Sequence, residues 1–216
     1  MLCGVLTREA RPVFRPEGIP ETPVIVIDAG HGGEDGGAVA ADGTVESGIN
    51  LAIAQDLDAL LRFLGCETRM TRTEDAAIYS DGARTLREKK ASDLKNRVAL
   101  VNETPNAVLL SIHQNSLPSH PSTHGAQVFF NAVDPAGEVA QGVQQALNVS
   151  LDGGKTVKAM DGGVYLMKQI RCPGVLVECG FLSNDKEAAH LQTEEHQRRL
   201  AAAILAGLLQ YSTKEG

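Results

Sequence analysis

Two histidines and two glutamates occupy positions in this sequence that are suited to chemistry. His31, His113 and Glu178 each end or closely follow a short apolar run that is typical of a buried strand. Glu46 comes just before a helical pattern, so its carboxylate can project from the first turn of that helix. In α/β sheets, functional residues gather beyond the carboxyl ends of the strands, and we therefore expect these side chains to share one edge.

Two histidines and one carboxylate form a common catalytic zinc site that leaves a position for water. Zinc lowers the pKa of that water from about 15.7 towards 7 and polarises a carbonyl group. A second carboxylate beside the metal can take the proton of the water and pass it to a leaving amine. The residues thus predict metal-assisted hydrolysis of an amide or ester, with His31, Glu46 and His113 as ligands and Glu178 as acid/base.

Other chemistries fit the sequence less well. The glycine-rich loop 28–37 lacks the lysine of a phosphate-binding loop, and Asp35 stands where a dinucleotide fingerprint needs its third glycine. H-E-x-x-H and G-x-S-x-G motifs are absent. Each candidate also has a structural interpretation: a lone strand-end histidine can be structural, and Glu46 can simply favour the helix N-terminus. Because all four residues are expected at one edge of the sheet, we favour a metal site over four separate structural roles.

Short apolar runs alternate with amphipathic stretches from residue 23 onward. The runs predict strands at 24–28, 66–71, 107–113, 125–131, 163–167 and 174–178. Apolar spacings and capping residues predict helices over about 47–64, over 92–103 with Ser92 as N-cap, over about 134–149 with Asp134 as N-cap, after Asn184 with Glu187 in a capping box, and around 200–208. This alternation predicts one α/β domain, a largely parallel sheet with helices on both faces.

Composition excludes several classes of protein. The chain has 216 residues, a formal net charge of −7 and 43% hydrophobic residues, which fits one globular domain and disfavours nucleic-acid binding through phosphate neutralisation. No apolar run is long enough to span a bilayer. The four cysteines show no metal-binding spacing, so we expect buried or idle thiols. A disulfide between Cys172 and Cys179, or one involving Cys66, is the alternative.

Residues 1–22 carry three prolines and no periodicity, which indicates a tether preceding a catalytic domain at 23–212. The segment lacks the basic start and apolar length of a classical signal peptide. It is therefore either part of a cytoplasmic protein or the remnant of an export or anchor segment.

Four ordered motifs resemble one family of enzymes. The segments are VIVIDAGHGGEDGGAV, the glutamate in GTVES, SIHQNS and GVLVECGFLSN. They are similar to the signatures of the zinc-dependent N-acetylmuramoyl-L-alanine amidases of the amidase-3 type, over about residues 24–209. The resemblance implies a twisted six-stranded sheet, Zn²⁺ held by His31, Glu46 and His113, catalytic Glu178, and peptidoglycan as the substrate.

The stretch 71–102 resembles the spore-cortex branch of that family, the CwlD-type amidases. This branch removes stem peptides so that muramic acid can become muramic-δ-lactam, which implies an extracytoplasmic, forespore-facing location. Some family members carry an inserted helix that plugs the zinc site, but the short connection 114–124 leaves no room for one. Control by expression, by tethering or by a regulatory or lipoprotein partner is therefore expected.

Three residues within the motifs, next to the candidate site residues, concern the pocket around the site. Gln114 stands where family members usually have alanine, and Cys179 stands where they have a branched or apolar residue. Asn115 could hydrogen-bond the substrate peptide or hold its own loop. Two other functions remain open: a partner-dependent cell-wall binding module with weak activity, and a zinc deacetylase acting on amino sugars.

Overall fold

The computed structural model describes residues 23–151, 153–159 and 164–213. The proposed N-terminal tether lies outside these residues. A six-stranded sheet with the order β2-β1-β3-β6-β4-β5 forms the centre of the domain. Its strands are β1 (Val24–Ala29), β2 (Glu67–Met70), β3 (Ala107–Asn115), β4 (Gln127–Phe130), β5 (Lys158–Ala159) and β6 (Gly174–Phe181). Strands β1, β2, β3 and β6 run parallel, whereas β4 is antiparallel to β6 and parallel to β5.

Within the residues that the structure describes, six helices cover the two faces of the sheet. They are α1 (Glu46–Phe63), α2 (Leu86–Asn102), α3 (Ala136–Ser150), α4 (Tyr165–Gln169), α5 (Asp185–Leu191) and α6 (Glu194–Thr213). Helices α1, α3 and α6 enclose the larger apolar cluster on one face, and α2 and α4 enclose a smaller one on the other. The predicted α/β domain with helices on both faces is confirmed. In the described part of the chain, no helix has the length and apolar character needed to cross a bilayer.

The prediction of a strand at 163–167 is wrong for residues 164–167, which are the part of this segment that the structure describes. Residue 163 lies outside the described residues, and the rest of that segment enters α4 rather than a strand. Leu166, Met167 and Ile170 are buried together in the smaller cluster. Met167 and Ile170 lie one and four residues after Leu166, a spacing that places the three side chains on one side of a helical turn. An apolar run this short fits a helical turn and a strand equally well, so the sequence does not distinguish them.

Helix α2 begins seven residues earlier than the sequence predicts. Thr85, not Ser92, is its N-cap: Thr85 Oγ1 accepts from the Glu88 backbone N–H at 3.2 Å, and Glu88 Oε2 accepts from the Thr85 N–H at 2.9 Å. This capping box satisfies two backbone donors that the first turn leaves free. The exposed, charged residues 87–90 carry no apolar periodicity, which is why the pattern located the start too late.

The predicted cap of α3 is wrong, and the predicted capping box of α5 is only half formed. Helix α3 has Pro135 at the N-cap position with no side-chain hydrogen bond, so Asp134 does not cap it. Asn184 does cap α5, accepting from the Lys186 and Glu187 backbone N–H groups. Glu187 completes no box because its carboxylate accepts from the N–H groups of Gly125 and Phe181, which links the helix to the strand ends.

The cysteines that the structure describes are free thiols. Cys66 and Cys179 are buried and Cys172 is partly buried, so neither disulfide alternative forms; Cys3 lies outside the described residues. Burial raises the pKa of all three thiols, that of Cys172 to about 11. A thiol with a raised pKa is a poor nucleophile, which agrees with the prediction of idle cysteines.

Helices α3 and α6 pack closely against each other at Gly142 and Gly207. An alanine in this contact should therefore change stability differently from an alanine at an open helix position. A Cβ at Gly207 would lie 2.4 Å from Val143 Cα, whereas a Cβ at Gly48 in α1 would meet nothing within 4 Å. We expect Gly207→Ala to destabilise the fold by about 1–3 kcal/mol through overpacking. Gly48→Ala should instead stabilise it by about 0.5–1 kcal/mol because alanine favours the helix. Urea unfolding measures both, and equal signs would contradict the packing described.

Candidate metal centre and active site

The sheet brings all four predicted residues to one edge. His113 and Glu178 are in register on the neighbouring parallel strands β3 and β6, at their carboxyl ends. His31 follows β1, and Glu46 is the first residue of α1. One ligand atom from each of His31, Glu46 and His113 lies within 4.8 Å of the other two. These three side chains form the group that could hold a metal ion.

His31 has an unusual backbone conformation and a fixed ring. Its φ of 61° is left-handed, a region that non-glycine residues seldom occupy. Its Nδ1 lies 3.0 Å from Asp35 Oδ2, which leaves Nε2 directed at Glu46 Oε1, 3.4 Å away. Burial opposes the charged ring, but the carboxylates of Glu46 and Asp35 outweigh it and raise the pKa of His31.

Glu46 is a buried carboxylate with many donors around it. It is 3% exposed, and its Oε2 accepts from the Ala38 N–H at 2.8 Å. Its Oε1 accepts from Asn50 Nδ2 at 3.0 Å and the Gln114 N–H at 3.0 Å, and lies 2.9 Å from His113 Nδ1. Although burial opposes ionisation, the hydrogen bonds and charges of the two histidines hold the pKa of Glu46 well below its usual range. The Glu46 carboxyl group is therefore ionised at neutral pH, as a candidate ligand for a metal cation should be.

Glu178 has the opposite environment. Its Oε2 is buried and has no hydrogen-bond partner among the described residues. Burial raises the pKa of Glu178, the nearby His113 opposes that shift, and the negative charge of Glu46 adds to it. A carboxyl group whose pKa is raised towards neutrality, placed beside a possible metal site, can both accept and return a proton.

Glycines in the loop after β1 allow the His113 and Glu46 side chains to pack directly against the loop backbone. A Cβ at Gly30 would overlap the His113 ring, and a Cβ at Gly37, whose φ is 74°, would lie 2.5 Å from Glu46 Oε2. The glycine-rich loop thus permits close packing of the His31, Glu46 and His113 side chains.

A buried arginine that the sequence analysis did not select holds this loop in place. Arg97 of α2 is 2% exposed and pairs with Asp28 at 2.6 Å and Asp93 at 2.7 Å. Its remaining donors reach the carbonyl oxygens of Ala29 at 2.8 Å and His31 at 2.6 Å. The ion pair therefore fixes the main chain at the first predicted metal ligand.

A second buried arginine continues this support. Arg72 donates to the carbonyl oxygens of Ala29 at 2.8 Å, Gly30 at 3.0 Å and Ser47 at 2.8 Å, so it ties the loop to the start of α1. One signal in the sequence pointed to the network: Asp28 stands within an apolar strand, and a buried carboxylate needs a cationic or hydrogen-bonding partner. The nearby Arg97 holds the pKa of Asp28 below its usual value despite burial.

Asn115, the predicted substrate contact, lies where β3 ends. Its Oδ1 accepts from the Ser116 N–H at 2.8 Å, and its carbonyl accepts from the Leu182 N–H at 2.8 Å. The strand register shifts between His113 and Asn115, a β-bulge of the kind often found beside active sites. Asn115 holds its loop, and its contact with substrate stays a prediction.

Comparisons with known proteins agree with this geometry. The family described as N-acetylmuramoyl-L-alanine amidase, Amidase_3, matches residues 25–210. The chain belongs to this family. A germination-specific N-acetylmuramoyl-L-alanine amidase of Bacillus subtilis is 35% identical over 205 residues, which cover 94% of this chain and 86% of the relative.

Solved amidases have the same fold. The CwlD amidase of Clostridioides difficile, solved in complex with the GerS lipoprotein, superimposes with a TM-score of 0.84 at 36% identity, covering 89% of this chain and 100% of that one. An N-acetylmuramoyl-L-alanine amidase of Clostridium difficile 630 gives a TM-score of 0.78 at 28% identity, covering 91% and 100%. The family resemblance is confirmed, and this amidase is a peptidoglycan hydrolase.

Replacing the buried Arg97 should destabilise the fold much more than replacing an arginine on the surface. Arg97→Met leaves Asp28 and Asp93 buried without their cation, and we expect a loss of about 3–5 kcal/mol of unfolding free energy. The control is Arg62→Met, because Arg62 is 61% exposed and pairs with Asp58 at 2.9 Å. That variant should stay within about 1 kcal/mol of the wild type. Denaturant unfolding with circular dichroism compares them, and similar losses would refute the role of Arg97.

Proposed function

We propose that this amidase cleaves the amide between the lactyl group of N-acetylmuramic acid and L-alanine, with zinc held by His31, Glu46 and His113. Glu178 is the acid/base. The observation that carries the proposal is the arrangement at the edge of the sheet: three ligand atoms within 4.8 Å of one another, and a fourth carboxyl in register with His113. Residues 23–212 form the catalytic domain in this proposal, and residues 1–22 a tether.

The residues present fit zinc. Two imidazoles and one carboxylate are a donor set that zinc uses in catalytic sites, where a further position stays open. The Asp35 carboxylate at His31 Nδ1 is the partner that zinc-ligating histidines usually have, and it leaves Nε2 available for the metal. Glu46 is ionised without a metal, so no proton must be removed from it before binding.

Hydrolysis requires one proton to move twice. When bound, zinc supplies a Lewis acid that makes water more acidic and stabilises negative charge on the amide oxygen. Glu178 accepts the proton of the attacking water as the new C–O bond forms. It then gives that proton to the alanine nitrogen as the C–N bond breaks, which releases a free amine and a lactyl carboxylic acid that loses its own proton to solvent. Asn115 contacts the stem peptide through its side-chain NH₂ group, since its Oδ1 is engaged by Ser116.

The relatives support a more specific biological setting. One relative is named germination-specific, and the CwlD amidase is solved with a lipoprotein. We place this enzyme in spore-cortex maturation, outside the cytoplasmic membrane, where removal of stem peptides permits muramic-δ-lactam to form. Peptidoglycan is its macromolecular substrate, and a lipoprotein is its regulatory partner.

Two variants separate the metal from the proton transfer. Glu178→Gln should retain about one zinc per chain and lose nearly all activity, by about 10²–10⁴-fold, because the acid/base is gone. His113→Ala should lose both zinc and activity. Glu194→Gln, on the exposed start of α6, is the control and should keep both. Elemental analysis gives the zinc content, and mass spectrometry detects stem peptides with a free L-alanine amine.

The same assay tests the other two functions. Full turnover by Glu178→Gln would refute the acid/base role. Zinc content without peptide release, together with release after a GerS-type lipoprotein is added, would indicate a partner-dependent module. Release of acetate in place of stem peptides would indicate a deacetylase acting on amino sugars.

A further inference from the structure

Two buried carboxamides lie behind the predicted metal ligands and take no part in the reaction described above. We propose that Asn50, held in orientation by Gln114, is a positioning residue that fixes the Glu46 carboxylate and the backbone before His31 for zinc binding. This inference rests on the proposed zinc site.

Asn50 bridges two of the segments that carry ligands. It lies one helical turn after Glu46 in α1 and is fully buried. Its Nδ2 donates to Glu46 Oε1 at 3.0 Å and to the carbonyl oxygen of Gly30 at 3.2 Å. Because Gly30 immediately precedes His31, one amide group restrains both the carboxylate ligand and the main chain at a histidine ligand.

Gln114 connects the third segment and sets the direction of Asn50. It follows His113 in β3, and its side-chain Nε2 donates to Asn50 Oδ1 at 3.1 Å. Its backbone N–H donates to Glu46 Oε1 at 3.0 Å. A flipped Asn50 amide would place oxygen against Glu46 Oε1 and the Gly30 carbonyl, and two NH₂ groups against each other. The bond from Gln114 therefore keeps the Asn50 donors on the ligand side.

The buried side chain of Gln114 lowers the stability of the fold at this position. It is 3% exposed, and its Oε1 has no hydrogen-bond partner among the described residues. A buried acceptor without a partner lowers the stability of the fold, and a small apolar side chain would avoid that penalty. The side-chain Nε2 of Gln114 donates to Asn50 Oδ1, and the Gln114 side chain also lies within hydrogen-bonding reach of the buried Cys179 thiol. The presence of Gln114 is therefore explained by what it does for Asn50.

The consequence is a site arranged before the metal arrives. Hydrogen bonds to a ligating carboxylate fix its orientation, so less conformational freedom is lost on binding. Loss of such outer partners typically weakens metal binding by about 10–100-fold. We therefore expect Asn50→Ala to raise the zinc dissociation constant of the metal-free protein by about 10–100-fold, and Gln114→Ala by about tenfold.

Asn131 provides a matched control. It is also a buried asparagine, 8% exposed, with Nδ2 donating to the Cys172 carbonyl at 3.0 Å and Oδ1 accepting from the Gly174 N–H at 3.0 Å. Asn131→Ala removes a comparable set of bonds but touches no ligand segment. It should lower the unfolding midpoint about as much as Asn50→Ala while leaving zinc affinity unchanged.

The experiment is a competition titration of zinc against a chromophoric chelator, on the full chain and the three variants, together with urea unfolding of the metal-free proteins. Weakened zinc binding in Asn50→Ala and Gln114→Ala, beyond that in Asn131→Ala, supports the proposal. Equal zinc affinities in all variants would overturn it. Should Asn50→Ala not fold, Gln114→Ala against Asn131→Ala decides. Failure of the wild type to bind zinc would overturn the proposed function and this inference together.

Discussion

The buried ion pair between Asp28 and Arg97 is the interaction on which the active site depends. Both side chains are almost fully excluded from water, and neither charge would be tolerated there alone. Arg97 uses its remaining donors on the carbonyl oxygens of Ala29 and His31. The left-handed backbone of His31 persists because the surrounding bonds hold it. One ion pair between β1 and α2 thereby sets the position of His31, a candidate metal ligand.

Two carboxylates at the same edge of the sheet have opposite properties because their surroundings differ. Glu46 receives donors at both oxygens and stays ionised, as a ligand must. Glu178 keeps one buried oxygen without a partner among the described residues, and burial raises its pKa. Pairs of titratable groups whose pKa values are pushed apart in this way usually divide the roles of a hydrolase between them. In the proposed function, Glu46 holds the metal and Glu178 moves the proton.

Secondary structure could be predicted where burial follows a regular pattern and not elsewhere. The apolar runs of β1, β3 and β6 were found because strands buried on both faces are apolar throughout. The start of α2 was missed because its first turns are exposed, and α4 was mistaken for a strand because five residues are too few to show a helical period.

The motifs are sufficient to predict the family, the α/β fold and the four residues that meet at one edge of the sheet. These are carried by residue types in short motifs that end the strands, and parallel strands bring such ends to one edge. Only the tertiary structure decided what holds them. Arg97 lies 66 residues from His31, and Gln114 lies 64 residues from Asn50. No local pattern records a hydrogen bond between residues so far apart in the chain, since it forms only when the sheet and helices pack.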